Sequence, residues 1–167
     1  DTRLRAIIEA GVDGEVRVKG PMVTKGYTNP ELTAEAFDAD GWFRTGDVGH
    51  VRPDGHIVLT GRLKDIIIRK GENISAKEVE DLLYTHPAIS DVAVIGLPDD
   101  DLGNRLHAII DRPEGPADEK ALLAHLNAHL VRYKTPRSFE WVNEPLRDEA
   151  GKVRRSALRK ERLAASA

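Results

Sequence analysis

The chain has 167 residues, 40% of them apolar and 32% charged, enough for one ordinary hydrophobic core or for one domain with part of another. A formal charge of -3 leaves no overall basic footprint for nucleic acid, and the cluster Arg154, Arg155, Arg159, Lys160 and Arg162 is confined to the last turns. There is no cysteine for a disulfide framework or a thiolate metal site, and no apolar run approaches the roughly 20 residues that cross a bilayer. The expected compartment is the cytoplasm. The chain opens at Asp1 and its single methionine is Met22, so it reads as a segment of a longer polypeptide.

Taken in order, the first sixty residues read as strand and turn. Val16 and Val18 alternate in EVRVK, which suits a half-buried strand. Arg52-Pro53-Asp54-Gly55 places Pro second and Gly fourth, which suits a type I turn, and HIVLT follows from His56, so residues 47 to 60 predict a hairpin. From Ile66 the pattern becomes alternating α+β. An Ile-rich strand (Ile66, Ile67, Ile68) leads to a helix opened by the capping box Ser75-Ala76-Lys77-Glu78, with Val79, Leu82 and Leu83 on one face. Strands are predicted at 91 to 96 and 106 to 110. Pro113, Gly115 and Pro116 mark a loop, and a second amphipathic helix begins near Asp118 with Leu122, Leu123, Leu126 and Leu130 inward. A short strand at 139 to 142 and a final helix from about Arg154 complete the series.

Four blocks stand in an ordered series: GYTNPELT from Gly26, GWFRTGD from Gly41, GRLKDIIIRKGENIS from Gly61 and AGKVRRSAL from Ala150. In that order and spacing they resemble the carboxyl-terminal blocks of the adenylate-forming (AMP-binding) acyl-CoA synthetase superfamily, over roughly Gly14 to Leu163. The resemblance implies an α+β fold: a small C-terminal domain of helices on a short mixed or antiparallel sheet, preceded by a β-rich remnant of a large N-terminal domain. It implies residues 1 to 63 as the end of the large adenylation domain, residues 64 to 167 as a small mobile domain, and Lys64 as the hinge between them. The change of periodicity inside GRLKD points to the same boundary.

The family's chemistry has two steps. A carboxylate attacks the α-phosphate of ATP to give an acyl-adenylate, and the thiol of CoA then attacks that adenylate. The first step builds negative charge on phosphate, so a cation held at the reacting centre stabilises its transition state; Lys152 matches the lysine that fills this role. Asp47 matches the aspartate that accepts both ribose hydroxyls, a task for which a carboxylate has the lone pairs. Arg62 resembles the arginine that also contacts the nucleotide sugar; its ordinary alternative is a surface arginine paired with Asp65 or another acid. Arg69, Lys70 and Gly71 resemble the segment beside the pantetheine arm of CoA, where a residue without Cβ lets backbone approach a thin ligand. Lys70 departs from the family, which often has a second glycine there, and Ala150 departs from its usual Ser or Thr, with PLRDE in place of LPRT. Trp42 and Phe43 read as packing residues.

His125 and His129 fall four apart on the expected second helix, yet the run lacks the Glu of HExxH and a third ligand. Asp99-Asp100-Asp101 reads as a polar turn, no phosphate-binding GxxxxGK[ST] loop is present, and His50, His56, His86 and His107 receive no role. The expectation is the C-terminal part of an acid-thiol ligase using ATP, CoA and Mg, with Mg bound mainly by the N-terminal domain, acting on a fatty or related acid and inactive as these 167 residues alone. Partners are then ATP/AMP, the carboxylic acid, coenzyme A and the large domain of the same polypeptide. Two alternatives are an adenylation domain loading a carrier protein and a non-catalytic binding or regulatory module of the same fold.

Overall fold

The structure, a computed structural model, describes residues 3–5, 11–112 and 114–165. The chain divides into two compact units, Asp1–Lys64 and Asp65–Ala167.

The first unit is an antiparallel sheet of β1 (Arg3–Arg5), β2 (Gly14–Lys19), β3 (Phe43–Val51) and β4 (Ile57–Arg62), paired in chain order. The expected hairpin closes β3 onto β4: Gly55 N–H donates to Arg52 O at 2.9 Å and Arg52 N–H to His56 O at 2.8 Å. The β3–β4 register shifts between Val48 and Gly49, where a Cβ on Gly49 would sit 2.3 Å from Val58 O, so only glycine fits. Strand and turn are not the whole of this unit. A short helix, α1 (Pro30–Ala36), stands between β2 and β3, started by Pro30 at its first position and by the Asn29 side chain, which accepts from Glu31 N–H at 2.8 Å. Phe37 and Phe43 meet edge to face with centroids 5.4 Å apart, in keeping with a packing role for Phe43.

The second unit is α+β. Its elements are a hairpin of β5 (Ile66–Arg69) and β6 (Glu72–Ser75), α2 (Ala76–Tyr84), β7 (Asp91–Asp99), β8 (Gly103–Asp111), α3 (Glu119–Asn127), β9 (Ser138–Val142) and α4 (Arg155–Ala165). The central sheet runs β7-β8-β9, antiparallel between β7 and β8 and parallel between β8 and β9, and is therefore mixed. β7 and β8 are covered on both faces, which explains the near-continuous apolar run in DVAVIGL. Val92, Val94, Leu106, Ala108 and Ile110 pack with Val79 and Leu83 of α2 and Leu122 and Leu126 of α3. On the other face Ala93, Ile95, Leu97 and Ile109 pack with Leu146, and Leu158 and Leu163 of α4 lie over them. Fully burying one such Leu or Ile stabilises the fold by roughly 1.5–3 kcal/mol, so this two-faced core dominates the energetics of the unit.

Some bounds differ from the sequence expectation. β7 and β8 each run nine residues, longer than 91 to 96 and 106 to 110, because their edges pair out to Asp99 opposite Gly103. Lys70 and Gly71, inside the segment that resembles the CoA-side block, form the turn of the β5–β6 hairpin. α3 ends at Asn127, so Leu130 and His129 lie beyond it, although Leu130 still packs against the core. Pro113 lies outside the described residues. Among the described residues no helix is long and apolar enough to cross a membrane.

Candidate functional site

In the first unit the sheet register brings two candidate residues together. Asp47 on β3 is the direct cross-strand partner of Arg62 on β4, and Arg62 Nε donates to Asp47 Oδ1 at 2.9 Å. Gly46, at φ +71°, turns the chain so that Thr45 Oγ1 accepts from Asp47 N–H at 3.0 Å and fixes the start of the aspartate. The pair is open to solvent, with Arg62 57% and Asp47 24% exposed at the side chain. Arg62 therefore pairs with Asp47 and not with Asp65, whose partner is Arg155. Lys64 is exposed in a single 3-10 turn, Leu63–Asp65, and is the last residue of the first unit.

In the second unit Lys152 follows the tip of a tight loop built on Asp148. Gly151 N–H donates to Asp148 O at 2.8 Å, and Asp148 Oδ1 accepts from the N–H groups of Ala150 and Lys152, both at 3.0 Å. Arg154 Nε donates to Asp148 Oδ2 at 3.0 Å. The Lys152 N–H foremost, then Arg154, hold the Asp148 carboxyl below the usual carboxylate range. Asp148 belongs to the PLRDE stretch that departs from the family, so the departing residues themselves supply the acceptor that shapes the loop. Arg147, bridged across the loop to Val153, fastens it further: Nη1 donates to Gly151 O at 3.0 Å, Nη2 to Tyr84 Oη at 2.7 Å and Nε to Asp91 Oδ1 at 3.1 Å. Among the described residues no carboxylate pairs with the exposed Lys152 ammonium.

The other candidate segment is a two-residue turn. Arg69 pairs with Glu72 across it, and Lys70 and Gly71 both have positive φ, 49° and 84°, as a type I′ turn demands. A Cβ on Gly71 would meet nothing within 4 Å, so conformation, not crowding, calls for glycine there. Lys70 N–H donates to Leu102 O at 3.0 Å, which rests the turn on the β7–β8 connection, and Arg69 Nη1 donates to Tyr133 O. Asp91, which holds the Lys152 loop, starts β7, whereas Leu102 follows its end at Asp99. Eight strand steps separate those ends, about 27 Å, so the structure does not bring Lys152 and the Lys70-Gly71 turn together.

Among the described residues no group of three or more His, Asp or Glu is placed to hold a metal. The described residues therefore do not fit a Mg site. His125 Nε2 shares a hydrogen bond of 2.7 Å with Thr85 Oγ1, and His129 Nδ1 lies 3.0 Å from His125 O, so each has a local partner. Sequence reasoning missed Asp148, Arg147 and Tyr84, whose cooperation is visible only once the loop and α2 are folded together.

Residues 78–152 match the AMP-binding enzyme C-terminal domain family. A sulfoacetate–CoA ligase of Cupriavidus necator is 41% identical over 150 residues, 89% of this chain and 30% of that protein. The long-chain-fatty-acid–CoA ligase FadD13 of Mycobacterium tuberculosis is 37% identical over 156 residues, 93% of this chain and 31% of that protein. ATP-bound MatB of Rhodopseudomonas palustris superposes with a TM-score of 0.84 at 36% identity, covering 92% of this chain and 31% of that one. The chain thus spans about 30% of the length of the relatives it matches. Its second unit carries the AMP-binding enzyme C-terminal domain, and the chain belongs, as a carboxyl-terminal region, to the adenylate-forming superfamily of acyl-CoA ligases.

Proposed function

We propose that this chain is the carboxyl-terminal part of an ATP-dependent acyl-CoA synthetase, converting a carboxylic acid, ATP and CoA into acyl-CoA, AMP and pyrophosphate through an acyl-adenylate. Residues 1–63 complete the large adenylation domain and residues 64–167 form the small domain that turns about Lys64. In the first step the Lys152 ammonium lies against the phosphate oxygens as the acid oxygen bonds to the α-phosphorus and pyrophosphate leaves. Asp47 accepts from the ribose hydroxyls, with Arg62 beside it. In the second step the backbone of Lys70 and Gly71 flanks the pantetheine arm, with Arg69 behind the turn, while the thiol sulfur attacks the acyl carbon and AMP departs. A fatty or related acid is the substrate class, on the likeness to the long-chain ligase.

One observation carries the reading. The anchors of Lys152 and of the Lys70-Gly71 turn lie at opposite ends of one nine-residue strand inside a single compact unit. Two groups whose anchors stand about 27 Å apart on a common body do not attend one carbonyl together, but they can do so in turn if that body rotates. The deciding measurement separates the half-reactions in the polypeptide that contains these residues. Lys152→Ala is expected to slow pyrophosphate exchange by about 10³-fold, the scale of losing a preorganised transition-state charge, while attack of CoA on supplied acyl-adenylate stays within about threefold. Equal loss in both assays would make the lysine structural and sink the reading.

A further inference from the structure

Arg155 opens α4 three residues after Lys152, and two carboxylates share its guanidinium. Nε and Nη2 donate to Glu80 Oε1 and Oε2 at 3.1 and 2.5 Å, and Nη1 donates to Asp65 Oδ2 at 2.8 Å. Glu80 lies on α2 between the core residues Val79 and Leu83 and is only 4% exposed; its Oε1 also accepts from Val94 N–H of β7 at 2.7 Å. Burial pushes its carboxyl up, and the Arg155 fork and the Val94 N–H pull the other way. The Val94 N–H accounts for a carboxylate at position 80 but not for the arginine that forks onto it, since desolvating an ion pair can cost as much as its attraction returns. The Arg155 fork therefore calls for a further reason.

Its geometry supplies one. Asp65 is the first residue of the second unit and follows Lys64 directly, so the fork joins the residue after the pivot to α2, β7 and the start of α4. One helical turn along α2 from Glu80, Tyr84 Oη accepts from Arg147. Residues four apart share a helix face. The loop that bears Lys152 is thus seated at both ends on one face of α2, by Arg147 before it and Arg155 after it.

We propose that Arg155 is a positioning residue for Lys152: the Asp65–Arg155–Glu80 fork ties the lysine's loop to the residue after the pivot, so that rotation about Lys64 delivers the ammonium to the reacting phosphate without slack. The proposal rests on the reading of Lys152 as the adenylation cation and Lys64 as the pivot. Arg155 touches no substrate. Its planar fork spans two carboxylates at fixed angles, which a lysine cannot reproduce.

The test uses the complete polypeptide and both half-reactions. Arg155→Lys is expected to lower the kcat of pyrophosphate exchange about thirtyfold, since a misplacement near 1 Å can cost about 10²-fold, with KM for ATP and acid and the thioester step each within about threefold. Combined with Lys152→Ala it should add less than about threefold, because its effect acts through the lysine. Asp65→Asn, which leaves the buried Glu80 pair intact, should show the same pattern at about fivefold, and it decides the matter if Arg155→Lys does not fold. Equal loss in both half-reactions, or a full additional loss on top of Lys152→Ala, overturns the proposal. If Lys152→Ala cripples exchange while Arg155→Lys and Asp65→Asn do not, only this proposal fails; if Lys152→Ala itself leaves exchange intact, the underlying reading fails with it.

Discussion

The two ends of the β7–β8 hairpin are finished in opposite ways. At the Asp91 end, side chains do the holding: Asp148 gathers two N–H groups and an arginine, and Arg147 clamps the loop to Tyr84 and Asp91. At the Leu102 end a two-residue turn is seated on main-chain groups: Lys70 N–H donates to Leu102 O, Asn104 Nδ2 to Ile68 O at 2.9 Å and Arg69 Nη1 to Tyr133 O. A lysine on a four-carbon stem delivers its charge accurately only if its base is fixed, whereas a thin ligand arm needs backbone that it can approach. The contrast shows how one small unit can carry two tools. The strand length sets the separation of their anchors, and under the proposed function each end serves its own half-reaction.

Blocking the proposed pivot should break that division most strongly. Proline at position 64 would hold φ near -65°, remove an N–H and push Leu63 away from the helical region that its 3-10 turn uses, restricting the torsions a rotation must change. Lys64→Pro is expected to keep adenylation within about tenfold while thioester formation falls by about 10²-fold or more, the mirror image of Lys152→Ala in the same free-energy terms. Loss of stability alone would depress both steps together. A parallel decline, or full CoA ligation by the variant, would remove Lys64 from the mechanism.

The turn end can be perturbed alone. A β-branched residue at the φ of +84° held by Gly71 is disfavoured by about 1–2 kcal/mol, and open space around the missing Cβ means that this strain is the whole cost. Gly71→Val should lower unfolding stability by that amount and slow thioester formation about tenfold, leaving adenylation within about twofold. Lys70→Gly, which relieves a non-glycine φ of +49°, should leave the turn intact and shift stability the other way by under about 1 kcal/mol. Urea unfolding and the paired assays read both variants. Slowed adenylation in Gly71→Val would show that the two ends are not independent.

Local signals were legible in the chain, and pairings across it were not. The capping box at Ser75 announces α2, and the Ser75 hydroxyl does accept from Glu78 N–H, at 3.4 Å; nothing local announces that the Glu78 carboxylate accepts from Lys134, 56 residues away, at 2.7 and 2.8 Å. The Arg52-Pro53-Asp54-Gly55 turn and the two-faced strand DVAVI were equally plain, because each is a property of adjacent residues. α1 escaped notice although Asn29-Pro30 is a helix start, since its seven residues bury nothing and show no apolar period. β6 is four residues with one buried side chain, too short to alternate. The candidate residues were found through the family blocks, but their supports, Asp148 and the Glu80–Arg155 pair 75 residues apart, carry no periodic or motif signal. Glu80 in particular reads as one more acid on a helix until the fold buries it.

The smallest expected effect lies at the Lys152 end and depends on pH. Asp148 is held below its ordinary value of 3.8, foremost by the Lys152 N–H and then by Arg154. A carboxyl depressed in the folded state lends its stability above the unfolded value and loses it as pH falls through the folded one, so the loop should begin to loosen only below about pH 4. Glu140 is also held low, by Arg162 and His107, and its titration acts on α4 in the same range. The two are separated by position: amide protection at Ala150 and Lys152 reports the loop, and protection within residues 158 to 165 reports the helix. Asp148→Asn keeps one acceptor but not the charge, and at neutral pH it should reproduce the loosened loop, with a few-fold loss of protection at Lys152 and a similar slowing of pyrophosphate exchange, and with the acid dependence of the loop abolished. Among the described residues the Lys70-Gly71 turn makes its backbone hydrogen bond to Leu102 O and not to a carboxylate, and should show no such transition. Acid loosening of both ends together, or an Asn variant that still titrates at Lys152, would mean that the loop is not held by Asp148.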